Sequence, residues 1–220
     1  MRSAGLHISD GPTRVDRHGA TADLVDLIRR KGGAGALPHA LIVGRVAAQV
    51  GQELGLGGSR VQRLVLAGLL HDIGKTKIPI RILDKPGALD DEEWITMRKH
   101  PAWGARILAQ HGFWDLAPWV AAHHERIDGR GYPRGLAGEE IPLEARVLAA
   151  ADVWEAMVGQ RPYRRPLSGR VAMAQLRCAA GSQLDREVVA AFLSARGADD
   201  PWASWSGSLS GGRVAVAGSR

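Results

Sequence analysis

Residues 61–74, VQRLVLAGLLHDIG, decide the fold and carry the first sign of chemistry. Ser59 can cap a helix here, and apolar residues recur at helical spacing until the helix runs into His71 and Asp72. Burying two adjacent ionisable groups among apolar side chains is costly unless a metal ion or a charged partner compensates them. The stretch therefore predicts a buried helix that ends in a pair of side chains suited to a metal ion.

Helical periodicity extends along most of the chain, and no segment shows the alternation of a strand. Capping signals lie at Thr21 and at the pair Asp90 and Glu93. A helix at residues 114–126 would carry the adjacent histidines 123 and 124 near its end. Other helices are expected at residues 21–30, 38–54, 59–74, 91–100, 103–110, 143–157, 168–179 and 185–195. We therefore predict an all-α single domain, a bundle of about seven to eight helices that follows the short helix at residues 21–30.

Composition limits the class of protein. A chain of 220 residues fits one domain, and its single cysteine, Cys178, excludes an intrachain disulfide and fits a reducing compartment. Since no apolar run could span a membrane and no signal peptide is present, we expect a cytoplasmic protein. The net charge of +6 favours an anionic partner. Because no nucleic-acid-reading module is legible, a localised anion pocket is favoured over nucleic acid binding.

Five histidines and two aspartates on predicted helices form the main functional signal. Each alone is weak evidence, because an isolated helical histidine is more often a core or surface residue than a ligand. Together, imidazole and carboxylate groups are the ligands of first-row transition metals. This many ligands exceed the needs of one ion and suit two ions that share a bridging carboxylate. The predicted ligands are His39, His71, Asp72, His100, His123, His124 and Asp152.

The order and spacing of these residues resemble the HD-GYP family, a subgroup of the HD-domain metal phosphohydrolases. The resemblance rests on HDIGK at residues 71–75 and HHERIDGRGYP at residues 123–133, and it extends from about His39 to Leu193. It implies an HD-domain helical bundle with an ordered Gly-Tyr-Pro loop. It also implies a metal-dependent phosphodiesterase that converts cyclic di-GMP to linear pGpG, with further cleavage to GMP left open. The expected nucleophile is a hydroxide that bridges the metal ions.

The resemblance assigns roles residue by residue. Asp72 would bridge both ions and Lys75 would contact the scissile phosphate, so these two are the predicted catalytic residues. The predicted substrate contacts are Lys75, Arg126, Asp128, Gly131, Tyr132, Pro133, Arg161, Tyr163 and Arg164. Gly35 stands where some members carry a glutamate that holds a third metal, so two divalent ions are expected. Iron or manganese suits the ligand set best, and zinc or nickel is also compatible.

Two other functions stay open at this point. A related HD phosphohydrolase acting on another cyclic dinucleotide or nucleotide would use the same ligands. A catalytically weak module could instead sense cyclic di-GMP or dock onto a diguanylate cyclase-type or other signalling protein. Against this last alternative, none of the predicted metal ligands is missing.

The expected domain organisation has three parts. Residues 1–35 form a short helical or flexible N-terminal segment, residues 36–198 the phosphohydrolase domain, and residues 199–220 a flexible tail rich in glycine and serine. The N-terminal segment is too short for the receiver or sensory domains that commonly accompany this family.

Overall fold

The computed structural model describes residues 16–33, 35–160 and 165–196, and these ranges contain helices and no strand. Seven of the helices described there have eleven residues or more, which confirms the predicted all-α bundle. Two 3-10 helices lie at Ile73–Lys77 and Gly138–Glu140. The α-helices are α1 (Arg17–Lys31), α2 (Ala36–Glu53), α3 (Gly58–Leu70), α4 (Ile80–Leu83), α5 (Asp91–Met97), α6 (His100–Gln110), α7 (Ala117–Ala121), α8 (Leu143–Val158), α9 (Gly169–Ala179) and α10 (Arg186–Arg196).

Side-chain caps mark the starts of α1 and α5. Asp90 and Glu93 form the predicted capping box of α5. The cap predicted at Thr21 is wrong, because α1 begins four residues earlier, at Arg17. The Asp16 side chain accepts a hydrogen bond from His18 N at 3.0 Å, while Thr21 Oγ1 donates to the Arg17 carbonyl from inside the helix. An earlier acidic cap therefore replaces the predicted threonine.

Two predicted helices are shorter than the sequence pattern suggested. The helix expected over residues 114–126 covers only Ala117–Ala121, so the adjacent histidines lie in the turn after it. The helix expected to continue to residue 74 ends at Leu70. In both cases a histidine side chain donates to a carbonyl of the last turn, from His123 to Val120 and from His71 to Gly68. Each of these carbonyls would accept a backbone N–H if the helix continued, and here the histidine side chain binds it instead.

Helices α2 and α3 cross in direct backbone contact. A Cβ atom added at Gly68 would lie 2.4 Å from Gly44 Cα, so the two backbones touch where both residues lack a side chain. This contact places the N-terminal half of α2, with His39, beside the C-terminal end of α3, which precedes His71. Predicted metal ligands from two distant sequence segments thus meet through a glycine contact.

The core lies between α2, α3 and α8 and extends to α9 and α10. Trp154 of α8 is fully buried, and its ring lies 5.1 Å from that of Phe192 in α10. Helix α1 precedes the predicted domain start at residue 36, yet its Leu24 and Ile28 are buried in this core. None of the helices described is both long and apolar enough to cross a membrane. The predicted tail at residues 199–220 lies outside the described residues.

Candidate metal centre

Three of the predicted ligands are held by the same backbone interaction. The Nδ1 atoms of His71, His100 and His123 lie 2.7, 2.8 and 2.6 Å from the carbonyl oxygens three residues earlier. These carbonyls belong to Gly68 of α3, Met97 of α5 and Val120 of α7. Because a carbonyl only accepts, each Nδ1 carries the hydrogen and each Nε2 is left as a metal-binding atom.

The first group of ligand atoms forms where α2, α8 and the end of α3 meet. His39 Nε2 lies 3.2 Å from His71 Nε2 and 3.3 Å from Asp152 Oδ1. Asp72 Oδ2 lies 3.6 Å from His39 Nε2 and 3.3 Å from His71 Nε2. Atoms that bind one ion at about 2.0–2.2 Å are separated by about 3 Å or slightly more. The ligand atoms of His39, His71 and Asp72 therefore have the spacing of one coordination sphere, and Asp152 lies beside His39 at its edge.

The second group forms around the start of α6 and the turn after α7. His100 Nε2 lies 3.4 Å from His123 Nε2 and 3.2 Å from Asp72 Oδ1. His123 Nε2 lies 4.0 Å from the same carboxylate oxygen. His124 completes this group, in which all four ligand atoms lie within 4.8 Å of one another.

Asp72 belongs to both groups. One of its oxygens faces His39 and His71, and the other faces His100 and His123. The second oxygen, Oδ1, is buried and has no hydrogen-bond partner among the described residues. A buried carboxylate oxygen without a donor is costly. A metal ion at each oxygen would satisfy both, so the residues fit two ions that share Asp72.

The charges of the site also call for cations. Burial lowers the pKa of His39, but hydrogen bonds to Asp152, Asp72 and Glu155 outweigh it and raise that pKa to about 11. Burial would raise the pKa of Asp72, yet the electrostatic interactions with Lys75 and His71 hold it well below its usual range. The carboxylates around His39 therefore need a positive charge beside them, which a proton or a metal ion can supply. Burial lowers the pKa of His124 to about 3, so this ring is neutral, the form that binds metal.

Glu155 is a site residue that the sequence did not assign. Its Oε2 lies 2.5 Å from His39 Nδ1, and both side chains are buried. This carboxylate orients the His39 ring in the way that carboxylates commonly support metal-bound histidines. The spacing in the sequence could have indicated this role, because Glu155 follows Asp152 by three residues and lies on the same face of α8.

Gly74 allows the turn after Asp72 to approach α6. A Cβ atom at this position would lie 1.9 Å from the carbonyl oxygen of His100 and 2.6 Å from the amide nitrogen of Gly104. Any side chain would separate the two segments. The contact brings Asp72 within reach of His100, so the glycine of the HDIG motif serves the ligand geometry.

The predicted Gly-Tyr-Pro loop is ordered and is anchored by a buried carboxylate. Glu125 accepts hydrogen bonds from the amides of Arg134 at 2.7 Å and Leu136 at 3.1 Å. Tyr132 N donates to the His124 carbonyl, and the two rings lie 4.8 Å apart. Gly131 and Pro133 flank this tyrosine, which covers the second ligand group.

The remaining predicted contacts divide into three cases. Lys75 Nζ lies 2.6 Å from Asp72 Oδ2, directly at the site. Arg126 instead forms two hydrogen bonds with Asp128, at 2.9 and 2.6 Å, and this pairing lowers the pKa of Asp128 to about 2. Both groups are thus engaged with each other in shaping the loop. The predicted contacts Arg161, Tyr163 and Arg164 lie outside the described residues.

The sequence matches the HD domain family over residues 11–188. The chain belongs to the HD domain family. The HD domain is 41% identical over 170 residues to the cyclic di-GMP phosphodiesterase response regulator RpfG of Xanthomonas campestris pv. campestris, a match that covers 76% of this chain and 44% of that protein. It is also 41% identical over 158 residues to a cyclic di-GMP phosphodiesterase of Thermotoga maritima, covering 70% of this chain and 43% of that protein.

Structural comparison supports the same fold. The crystal structure of the cyclic GMP-AMP specific phosphodiesterase V-cGAP3 of V. cholerae superposes with a TM-score of 0.61 at 16% identity, covering 79% of this chain and 47% of that chain. The family match and the curated relatives confirm the HD domain family predicted from the sequence. The HD domain spans less than half the length of the two curated relatives.

Proposed function

We propose that this HD domain is a metal-dependent phosphodiesterase that hydrolyses cyclic di-GMP to linear pGpG. The observation that carries the proposal is Asp72, whose two oxygens face two separate groups of ligand atoms. The names of the relatives at 41% identity support the substrate class, since both are cyclic di-GMP phosphodiesterases. Two divalent ions, iron or manganese by preference, suit the mixed imidazole and carboxylate donors.

Two ions bound here would supply Lewis acidity to a water molecule and to the phosphate oxygens. The residues of the chain set the geometry for this chemistry. Three histidines are fixed by backbone carbonyls and His39 by Glu155, so little reorganisation is needed when the substrate arrives. Lys75 places its ammonium beside Asp72, where it would offset negative charge that builds up on the phosphate in the transition state.

Tyr132 is proposed to contact the substrate from the loop above the second ligand group. Burial raises the pKa of its hydroxyl, and the negative charges of Asp72 and Asp152 raise it further, so the group stays protonated at neutral pH. A protonated hydroxyl can donate a hydrogen bond to a phosphate oxygen. We assign Arg161, Tyr163 and Arg164 to the second phosphate and the guanines on the strength of the family resemblance.

The proposal is tested by purifying the protein, loading it with manganese or ferrous iron, and measuring turnover of three cyclic dinucleotides. We expect cyclic di-GMP to be hydrolysed faster than cyclic GMP-AMP or cyclic di-AMP, with pGpG accumulating before GMP. Faster cleavage of cyclic GMP-AMP would instead support the function named for V-cGAP3. Tight binding of cyclic di-GMP without hydrolysis would show that the domain senses cyclic di-GMP and does not hydrolyse it.

Lys75 offers a matched pair of variants for the same assay. Lys75→Ala should reduce kcat by a factor of about 100 or more, because a charge that stabilises the transition state is lost. Lys77→Ala removes an exposed lysine of the same 3-10 helix and should leave kcat unchanged. Equal effects of the two variants would remove Lys75 from the proposed mechanism.

A further inference from the structure

We infer that Trp94 and Arg98 form a subsite for one purine base of the substrate, in which Arg98 selects guanine over adenine. The inference rests on the proposed function, since it adds a subsite for the same substrate. Neither residue is among the metal ligands or the substrate contacts predicted from the sequence. Trp94 lies on α5, and Arg98 follows the last residue of that helix, one turn further on.

A run of planar groups connects this pair to the metal centre. The ring of the proposed ligand His124 lies 4.8 Å from that of Tyr132, with an angle of 30° between the planes. The Arg98 guanidinium carbon lies 5.7 Å from the centre of the Tyr132 ring and 5.9 Å from that of Trp94. The four groups therefore lead from the second ligand group to the protein surface. We place one base of the substrate along this run, with its phosphodiester at the metal centre.

The exposure of the pair indicates that it is available to a ligand. Trp94 is 45% exposed although it is a large apolar side chain, and Arg98 is exposed as well. The contacts found for the Arg98 guanidinium within the described ranges are with the two rings, and none is with a carboxylate. Arg126, by contrast, has its donors bound to Asp128. The N–H groups of the Arg98 guanidinium are thus available to an external acceptor.

The chemistry of a guanidinium beside an indole suits guanine. Guanine presents two acceptors, O6 and N7, on one edge, and arginine binds both at once. Adenine presents N7 next to the N6 amino donor, which opposes a second arginine N–H. An exposed indole offers a stacking surface that any base can use. Trp94 would therefore contribute affinity and Arg98 selectivity.

The test measures, for each variant loaded with manganese, kcat/KM and the calorimetric Kd for cyclic di-GMP and for cyclic di-AMP. Arg98→Ala should reduce the preference for cyclic di-GMP about tenfold or more, and Arg98→Lys should not restore it, because lysine lacks the fork. Trp94→Leu should weaken the binding of cyclic di-GMP and cyclic di-AMP to a similar extent. The controls Arg177→Ala and Trp114→Leu remove exposed side chains elsewhere and should change neither value. Metal content should stay constant throughout.

The outcomes separate this inference from the proposed function. Hydrolysis of cyclic di-GMP with the same guanine preference in Arg98→Ala would overturn the subsite and leave the phosphodiesterase function standing. Binding without hydrolysis, with guanine preference lost in Arg98→Ala, would support the subsite and overturn the enzymatic function. Failure of the wild-type protein to bind cyclic di-GMP would overturn both.

Discussion

The Nδ1 atom of His39 lies 2.5 Å from Oε2 of Glu155, across the interface between α2 and α8. The Nδ1 atoms of His71, His100 and His123 are held by backbone carbonyls, which no substitution can remove. His39 is supported by a side chain instead. Its orientation can therefore be tested by mutation without touching any proposed ligand.

Glu155→Leu should weaken metal binding about 10- to 100-fold, because His39 loses the group that fixes its ring. Glu155→Gln should have a smaller effect, since the amide oxygen can still accept from Nδ1. Metal affinity is measured by competition with a chromogenic chelator. Glu139→Gln, at an exposed position, serves as the control. Unchanged affinity in Glu155→Leu would mean that His39 does not depend on Glu155.

Glu125→Gln should raise KM for cyclic di-GMP while leaving the metal content unchanged. One of the two loop amides, those of Arg134 and Leu136, would lose its acceptor because the glutamine NH₂ group cannot accept. Leaving such a group unsatisfied costs about 1–3 kcal/mol, which would loosen the loop that positions Tyr132. If Glu125 acts through Tyr132, the same substitution should have little further effect in a Tyr132→Ala background. Independent, additive effects on KM would contradict this coupling.

The sequence could single out the candidate ligands because their chemistry is local, and the structure brings these residues together. A histidine or aspartate at the end of an apolar helix is costly to bury without compensation, and this argument needs no knowledge of the fold. The capping box at Asp90 and Glu93 was predictable for a similar reason, because both partners lie within one turn. The all-α fold followed from the helical periodicity, and the HD domain family was indicated by the resemblance of residues 71–75 and 123–133 to that family.

What the sequence missed depends on contacts between distant segments. The support of His39 by Glu155 spans 116 positions and is made only when α2 packs on α8. The helix predicted over residues 114–126 is shorter because His123 turns back to the Val120 carbonyl. The pairing of the Arg126 guanidinium with Asp128 was not predicted, and the substrate contact assigned to Arg126 stays a prediction. Residue type alone does not distinguish a free arginine from a paired one.

Asp185 provides a test of stability as a function of pH. Its side chain caps α10 through the amides of Glu187 and Val188 and accepts a hydrogen bond from Arg146 of α8 at 2.6 Å. Burial raises the pKa of Asp185, but Arg146 and the two amides outweigh it and hold the pKa below its usual value. The ionised carboxylate therefore stabilises the fold above the unfolded pKa of about 3.9, and this contribution is lost as the pH falls through the folded-state pKa.

Asp185→Asn keeps a capping side chain but removes the charge facing Arg146. We expect the free energy of unfolding in urea to fall by about 2 kcal/mol at neutral pH. The difference from wild type should shrink below about pH 3. Asp115→Asn, which breaks the ion pair with Arg17 in a more exposed setting than that of Asp185, should cost about 0.5 kcal/mol. If Asp185→Asn lowered the free energy of unfolding by the same amount at neutral pH and below about pH 3, the assigned ion pair would be contradicted.

The sharing of Asp72 by two metal ions is tested most directly by elemental analysis of the protein after reconstitution with manganese or iron and removal of excess metal. Wild type should hold about two ions per chain, because Asp72 offers one oxygen to each ligand group and Gly35 provides no side chain for a third ion. Asp72→Ala should hold close to none, and Asp23→Ala, at an exposed site on α1, should match wild type. A wild-type ratio of one or three, or an Asp72→Ala variant that still holds two ions, would contradict the bridged centre.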